Sequence, residues 1–132
     1  MIPIARPLLV GNWKMNRTQA ESVAHIAELR ALVAGLPLDI IVMPPTLALA
    51  AAVDAAEGSN IHVGAQNSFF ADSGPFTGEV SVPMLRAVGV NYVLVGHSER
   101  RRLFCETDEI VNLKVAAAIL HGAQPIVCVG ET

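Results

Sequence analysis

Five short apolar runs constrain this chain most: residues 7–10, 39–43, 61–65, 92–95 and 125–129. Each is too short for a helix of ordinary length and is bounded by glycine, proline or polar residues, which reads as a strand. Segments of helical pattern separate them. Strands that alternate with helices imply βαβ units and a parallel sheet. In such a sheet the carboxyl ends of the strands lie on one side, where α/β proteins build their sites. Here every run gives way to polar or turn-forming residues: Asn12 and Lys14, Pro44-Pro45 with Thr46, Gln66 and Asn67, His97 to Arg101, and Glu131. The fourth run is the most abrupt, passing from Tyr92-Val93-Leu94-Val95 through Gly96 to His97-Ser98-Glu99-Arg100-Arg101.

Composition agrees with buried strands. The 132 residues are 52% hydrophobic and 16% charged, against globular averages of about 45–50% and about 25%. A net charge of −3 offers no broad basic field for nucleic acid. No apolar run approaches the ~20 residues that span a bilayer. Residues 1–5 lack a basic start and a long apolar core, so a signal peptide is not expected. Cys105 and Cys128 lack metal-ligand spacing and read as reduced thiols of a cytoplasmic protein. The histidines His25, His62, His97 and His121 are scattered and suggest no metal site.

Between the runs, local signals mark the helices. Thr18 and Glu21 form a capping box, and the helix after them is expected to bury Ala20, Val23, Ala24, Ala27 and Ala31, widened by Ile26, Leu29 and Val33. Gly35 and Pro37 stop it. Thr46 is expected to cap a helix over 47–56, and Gly58-Ser59-Asn60 to turn the chain. Residues 68–79 form a long loop holding Phe69, Phe70 and Phe76. Loops of this length are functional or disordered. Three aromatics argue against disorder, and they pack either on their own domain or on a partner. Ser81 is expected to cap a short helix with Pro83 in its first turn and an end near Gly89. Thr107 caps a helix that Gly122 closes.

At the strand ends, His97 has the chemistry of a general acid or a neutral electrophile. Lys14 is a point charge suited to an anion such as phosphate, with Asn12 beside it. Glu99 is a base or, by preference, an ion-pair partner that orders Lys14 or an arginine. One of Arg100, Arg101 and Arg102 is expected to pair with Glu99 or Glu79. No Walker loop, dinucleotide fingerprint or nucleophile elbow occurs.

With those residues in view, the chain resembles the triosephosphate isomerase family. The resemblance is carried by GNWKMN (11–16), GAQNSFF (64–70), GPFTGEVS (74–81), VLVGHSERR (93–101) and VCVGET (127–132), in the family's order. It implies a (β/α)₈ barrel fold, here a partial barrel of about five parallel strands with four intervening helices. The whole of residues 1–132 would be the N-terminal part of one such domain, with strands six to eight absent. It implies interconversion of dihydroxyacetone phosphate and glyceraldehyde 3-phosphate through an enediol, with no cofactor or metal. His97 would be the electrophile and Lys14 and Asn12 the substrate-binding pair, Lys14 also stabilising the enediolate. The resemblance also implies that this histidine acts as a neutral imidazole set against a glutamate base. Ser98 and Glu99 would support His97 and Lys14. Phe76, Thr77 and Gly78 would form the loop tip that meets the partner in a cytoplasmic homodimer, with no nucleic-acid or membrane partner.

A complete barrel of this class takes about 250 residues, and the family's glutamate base follows its sixth strand. The base, the lid and the glycine-rich phosphate loops have no counterpart here. The 132 residues are therefore expected to be inactive alone, and exposed strand edges to make them marginal or self-associating. Two other readings stay open: a flavodoxin-like five-stranded binding module, which would show a switch in strand order, and a non-catalytic interaction protein acting through the aromatic loop.

Overall fold

In the computed structural model, which describes residues 6–130, the chain divides into two compact units that meet between Ala65 and Gln66. The first holds strands β1 (Leu8–Asn12), β2 (Asp39–Met43) and β3 (Ile61–Ala65). β2 lies between the other two and is parallel to both, with Leu8 opposite Asp39, Asn12 opposite Met43, and Ile41 opposite His62. Its residues after Asp39 are all buried, as a strand covered on both faces requires. In a flavodoxin-type order β1 would sit between β2 and β3. The observed order is sequential, which removes that alternative.

Helix α1 (Gln19–Val33) starts at the expected capping box. The Thr18 hydroxyl accepts the Glu21 N–H at 3.3 Å, and the Glu21 carboxylate accepts the Thr18 N–H at 2.9 Å. Its buried face differs from expectation. Ser22, Ile26 and Val33 are buried, whereas Ala20, Ala24, Ala27 and Ala31 are exposed. Apolar residues surround this helix, so periodicity did not select a face. Turning two large side chains inward removes more apolar area from water than turning in methyl groups.

At the C-terminal end of helix α2 (Leu49–Ala56) the Arg30 guanidinium donates to the carbonyls of Ala55 (2.9 Å) and Glu57 (2.6 Å). Asn60 donates to the carbonyls of Val33 and Leu38. These bonds satisfy carbonyls that helix ends and turns leave without partners. Thr46 does not cap α2. It lies inside a 3-10 turn (Thr46–Ala48) that opens on the Pro45 carbonyl, with no side-chain cap.

The second unit holds helix α3 (Val82–Ala87), strand β4 (Tyr92–Val95), helices α4 (Ser98–Leu103) and α5 (Asp108–Leu120), and strand β5 (Gln124–Val127). β4 and β5 are parallel, Tyr92 opposite Gln124 and Val95 opposite Val127. The Ser81 and Thr107 hydroxyls cap α3 and α5 as expected. Helix α4 was not anticipated. β5 ends two residues earlier than the apolar run, leaving Val129 90% exposed, and β1 reaches Asn12 rather than stopping at Val10.

The long loop is ordered by its own aromatics. Phe69 stacks on Phe70 at 4.2 Å and meets Phe76 at 4.4 Å, and the Phe69 N–H donates to the Val80 carbonyl at 2.8 Å. His121, at the end of α5, is 2.7 Å from the Asp72 carboxylate in that loop. No helix among the described residues is long and apolar enough to cross a membrane. Leu8 and Leu9 of β1 are over half exposed.

The two threonines separate capping from mere proximity to a helix. Thr18→Ala is expected to cost about 1 kcal/mol, read as a lower urea midpoint. Thr46→Ala, at an exposed position without a cap bond, is expected to stay within about 0.5 kcal/mol of the parent. Equal losses would contradict the assignment.

Candidate active site

At the end of β1 the chain turns about a buried tryptophan. Trp13 is 9% exposed, and its backbone N–H donates to the Met43 carbonyl at 3.1 Å. The ring meets His25 edge-on at 5.2 Å and carries the Arg17 guanidinium at 4.6 Å. The Asn16 amide donates to the Trp13 carbonyl at 2.8 Å. These contacts hold the next residue, Lys14, in the left-handed region at φ 55°, which costs a non-glycine residue roughly 1–2 kcal/mol. The Asn12 side-chain oxygen offsets part of that by accepting the Lys14 N–H at 2.9 Å. Asn12 and Lys14 therefore form one local unit, and Lys14 is exposed.

At the end of β4, Gly96 turns the chain with φ 73°, and His97 becomes the N-cap of α4. The His97 ring accepts the Glu99 N–H at Nδ1, 3.1 Å away. A nitrogen that accepts a hydrogen bond bears no proton, so the neutral ring carries its hydrogen on Nε2. The Glu99 carboxylate lies 3.7 Å from the same Nδ1. The His97 backbone is held as well, its carbonyl accepting the N–H groups of Arg100 and Arg101. Ser98 is the exposed first residue of α4.

The arginines pair with carboxylates that were not expected. Arg100 Nε is 2.8 Å from Glu106, and Arg101 Nη1 is 2.7 Å from Asp108. Arg102 is exposed. Glu106 is 5% exposed and Lys114 3%. The Lys114 ammonium donates to Glu106 at 2.9 Å and to the Asn67 side chain at 2.7 Å. Burial alone would raise the Glu106 pKa. Hydrogen bonds from Lys114 and Arg100, with their positive charges, outweigh it and hold the carboxyl below its ordinary value.

Neither Glu106 nor Lys114 was anticipated as part of the site. A signal for Lys114 exists, since it shares a helix face with Val111, Ala117 and Ala118, and a lysine on an apolar face needs a buried anion. Glu106 lies between helices and follows no periodic pattern. Burial also pushes the Cys128 thiol up, against the opposing charge of Arg101, which keeps it protonated.

Two clusters of expected residues thus form, Asn12 with Lys14 in the first unit and His97 with Glu99 in the second. Phe76 is 39% exposed at the loop tip, and Thr77 and Gly78 beside it are exposed. Glu131 lies outside the described residues, as do residues 1–5 and Thr132.

Comparison with known proteins joins these observations to a family. The sequence profile described as "Triosephosphate isomerase" matches residues 7–132. The triosephosphate isomerase of Moorella thermoacetica is 54% identical over 127 residues, covering 96% of this chain and 51% of the relative. That of Caldanaerobacter subterraneus is 48% identical with the same coverage. The crystal structure of triosephosphate isomerase from Bartonella henselae aligns with a TM-score of 0.90 at 42% identity, covering 97% of this chain and 53% of that one. The chain spans about half the length of the curated relatives it matches. Its fold class is the parallel α/β arrangement of TIM-barrel proteins.

The buried ion cluster has measurable consequences. Lys114→Met leaves the Glu106 charge short of a partner and is expected to cost about 3–5 kcal/mol at neutral pH, measured by urea unfolding. Because the folded Glu106 pKa is depressed below 4.5, its contribution is complete above that value. The contribution is lost as pH falls through the lower folded value. The parent is therefore expected to lose stability on acidification more steeply than Glu106→Gln. Parallel acid slopes would contradict the assignment.

Proposed function

The chain belongs to the triosephosphate isomerase family, and from that membership we propose that it carries the electrophilic half of an aldose–ketose isomerase acting on a phosphorylated triose. The observation that supports this most is the hydrogen bond from the Glu99 N–H to His97 Nδ1. It reserves the ring's proton for Nε2, the nitrogen left to meet a substrate oxygen.

In this reading a base removes a proton from the carbon beside the substrate carbonyl. Negative charge moves to the carbonyl oxygen, and the Nε2–H of His97 stabilises it as an enediolate. The ring then passes a proton between the two oxygens. A donor aimed at developing charge contributes about 10²–10³ in rate. The Lys14 ammonium supplies a fixed positive charge for the phosphate and the enediolate. The Asn12 side-chain oxygen is occupied by the Lys14 N–H, so its NH₂ group is the part that donates to substrate. Glu99 and Ser98 support the turn that carries His97.

The base is assigned to sequence corresponding to the other half of the relatives' length. A positioned base contributes typically ~10²–10⁴, so these residues alone are expected to lack useful turnover. Phe76, Thr77 and Gly78 are assigned to the contact between subunits of a homodimer.

The test is an isomerase assay of the 132-residue chain alone and mixed with a fragment that supplies the remaining strands of a related isomerase. Activity is expected only in the mixture, falling about 10²–10³-fold with His97→Gln. Near-family turnover from the pure chain would overturn the division of roles. Indifference to His97→Gln in an active mixture would overturn the electrophile.

A further inference from the structure

Two charged side chains converge on the glycine that precedes His97. The Gly96 N–H donates to Glu106 Oε1 at 3.2 Å, inside the protein. The Gly96 carbonyl accepts from Arg101 Nε at 3.0 Å. These groups belong to consecutive peptide planes, one arriving from β4 and one leading into His97. The residue between them is in the left-handed region at φ 73°. A Cβ there would lie 3.2 Å from Arg101 Nη2 and 3.2 Å from Val111 Cγ2, so Arg101 and Val111 crowd the turn closely.

The two holders are themselves held. The other oxygen of Glu106, Oε2, accepts Arg100 Nε and Lys114 Nζ, and Lys114 is fixed in turn by Asn67. With Oε2 anchored by two cations, Oε1 is presented to Gly96. Arg101 is oriented by Asp108. A buried ion cluster needs none of this second set to be satisfied. Arg101 lies outside the cluster and yet holds the same residue from the other side.

We propose that Glu106 and Arg101 are positioning residues for His97, clamping the two peptide planes of Gly96 so that the imidazole keeps its Nδ1 on the Glu99 N–H and its Nε2 free for substrate. The proposal rests on the reading of His97 as the electrophile. Its physical reason is tolerance: a reacting group must be held within about 0.5 Å, and a misplacement of about 1 Å can cost on the order of 10² in rate. A glycine turn has the most backbone freedom to lose, and two charge-assisted bonds remove it.

The test is ¹⁵N NMR of the full chain with labelled histidine, the His97 signals identified by their loss in His97→Gln. In its neutral form the parent ring is expected to carry its proton on Nε2, with Nδ1 unprotonated. In Arg101→Met and Glu106→Met the two ring shifts are expected to converge, as a mixture of tautomers replaces one. Glu106→Gln keeps an acceptor for the Gly96 N–H and is expected to retain the parent pattern while losing stability. Should Glu106→Met fail to fold, Arg101→Met, whose side chain is partly exposed, carries the test alone.

Parent-like ring shifts in a folded Arg101→Met would overturn the clamp, leaving Glu106 a structural charge only. In the complemented assay Arg101→Met and Glu106→Met are expected to lower kcat about tenfold or more with KM little changed. An inactive parent mixture would sink the isomerase reading but leave the NMR result standing, so the two failures are distinguishable.

Discussion

A carboxylate removed from water must be surrounded by donors, and Glu106 is. It takes hydrogen bonds from Arg100, Lys114 and the Gly96 backbone, and the second unit is arranged to provide them. Arg100 comes from α4, Lys114 from the apolar face of α5, and Gly96 from the end of β4. One anion therefore ties together three elements that flank the candidate electrophile. Such a cluster is costly to break and contributes little beyond a well-packed apolar core when intact. Its value lies in direction, because a carboxylate bonded on one oxygen presents the other at a fixed angle.

The first unit reaches a comparable result by packing. Trp13, buried and crossed by His25 and Arg17, fixes a turn in which Lys14 adopts a conformation it would not choose alone. Strained backbone of this kind persists where the surroundings over-determine it, and it is concentrated at functional sites. Both strand ends thus place a polar side chain on backbone immobilised by residues that themselves need not touch substrate. That arrangement suits chemistry that depends on fixed charges more than on motion.

The sequence made some of this legible and hid the rest for physical reasons. The strands declared themselves because apolar runs of four or five residues bounded by breakers have few alternatives. The caps at Thr18, Ser81 and Thr107 were legible because capping is local chemistry. Helix α4 was not. It has six residues, four of them ionisable, and no apolar stripe, so its helicity depends on His97 at one end and the Arg100–Glu106 pair at the other. The buried face of α1 is not legible in the sequence, because apolar residues surround that helix and tertiary packing chooses among them. His97, Lys14 and Asn12 were visible as chemistry at strand ends, whereas Glu106 became visible only when folding brought Gly96, Arg100 and Lys114 around it.

The most direct measurement of the central claim is the carbonyl stretching frequency of dihydroxyacetone phosphate bound to the chain complemented with the remaining strands. If His97 Nε2 polarises the substrate, the band moves to lower frequency than in free substrate, and His97→Gln returns it most of the way. A band unshifted in the parent, with substrate bound, would contradict the electrophilic role of His97.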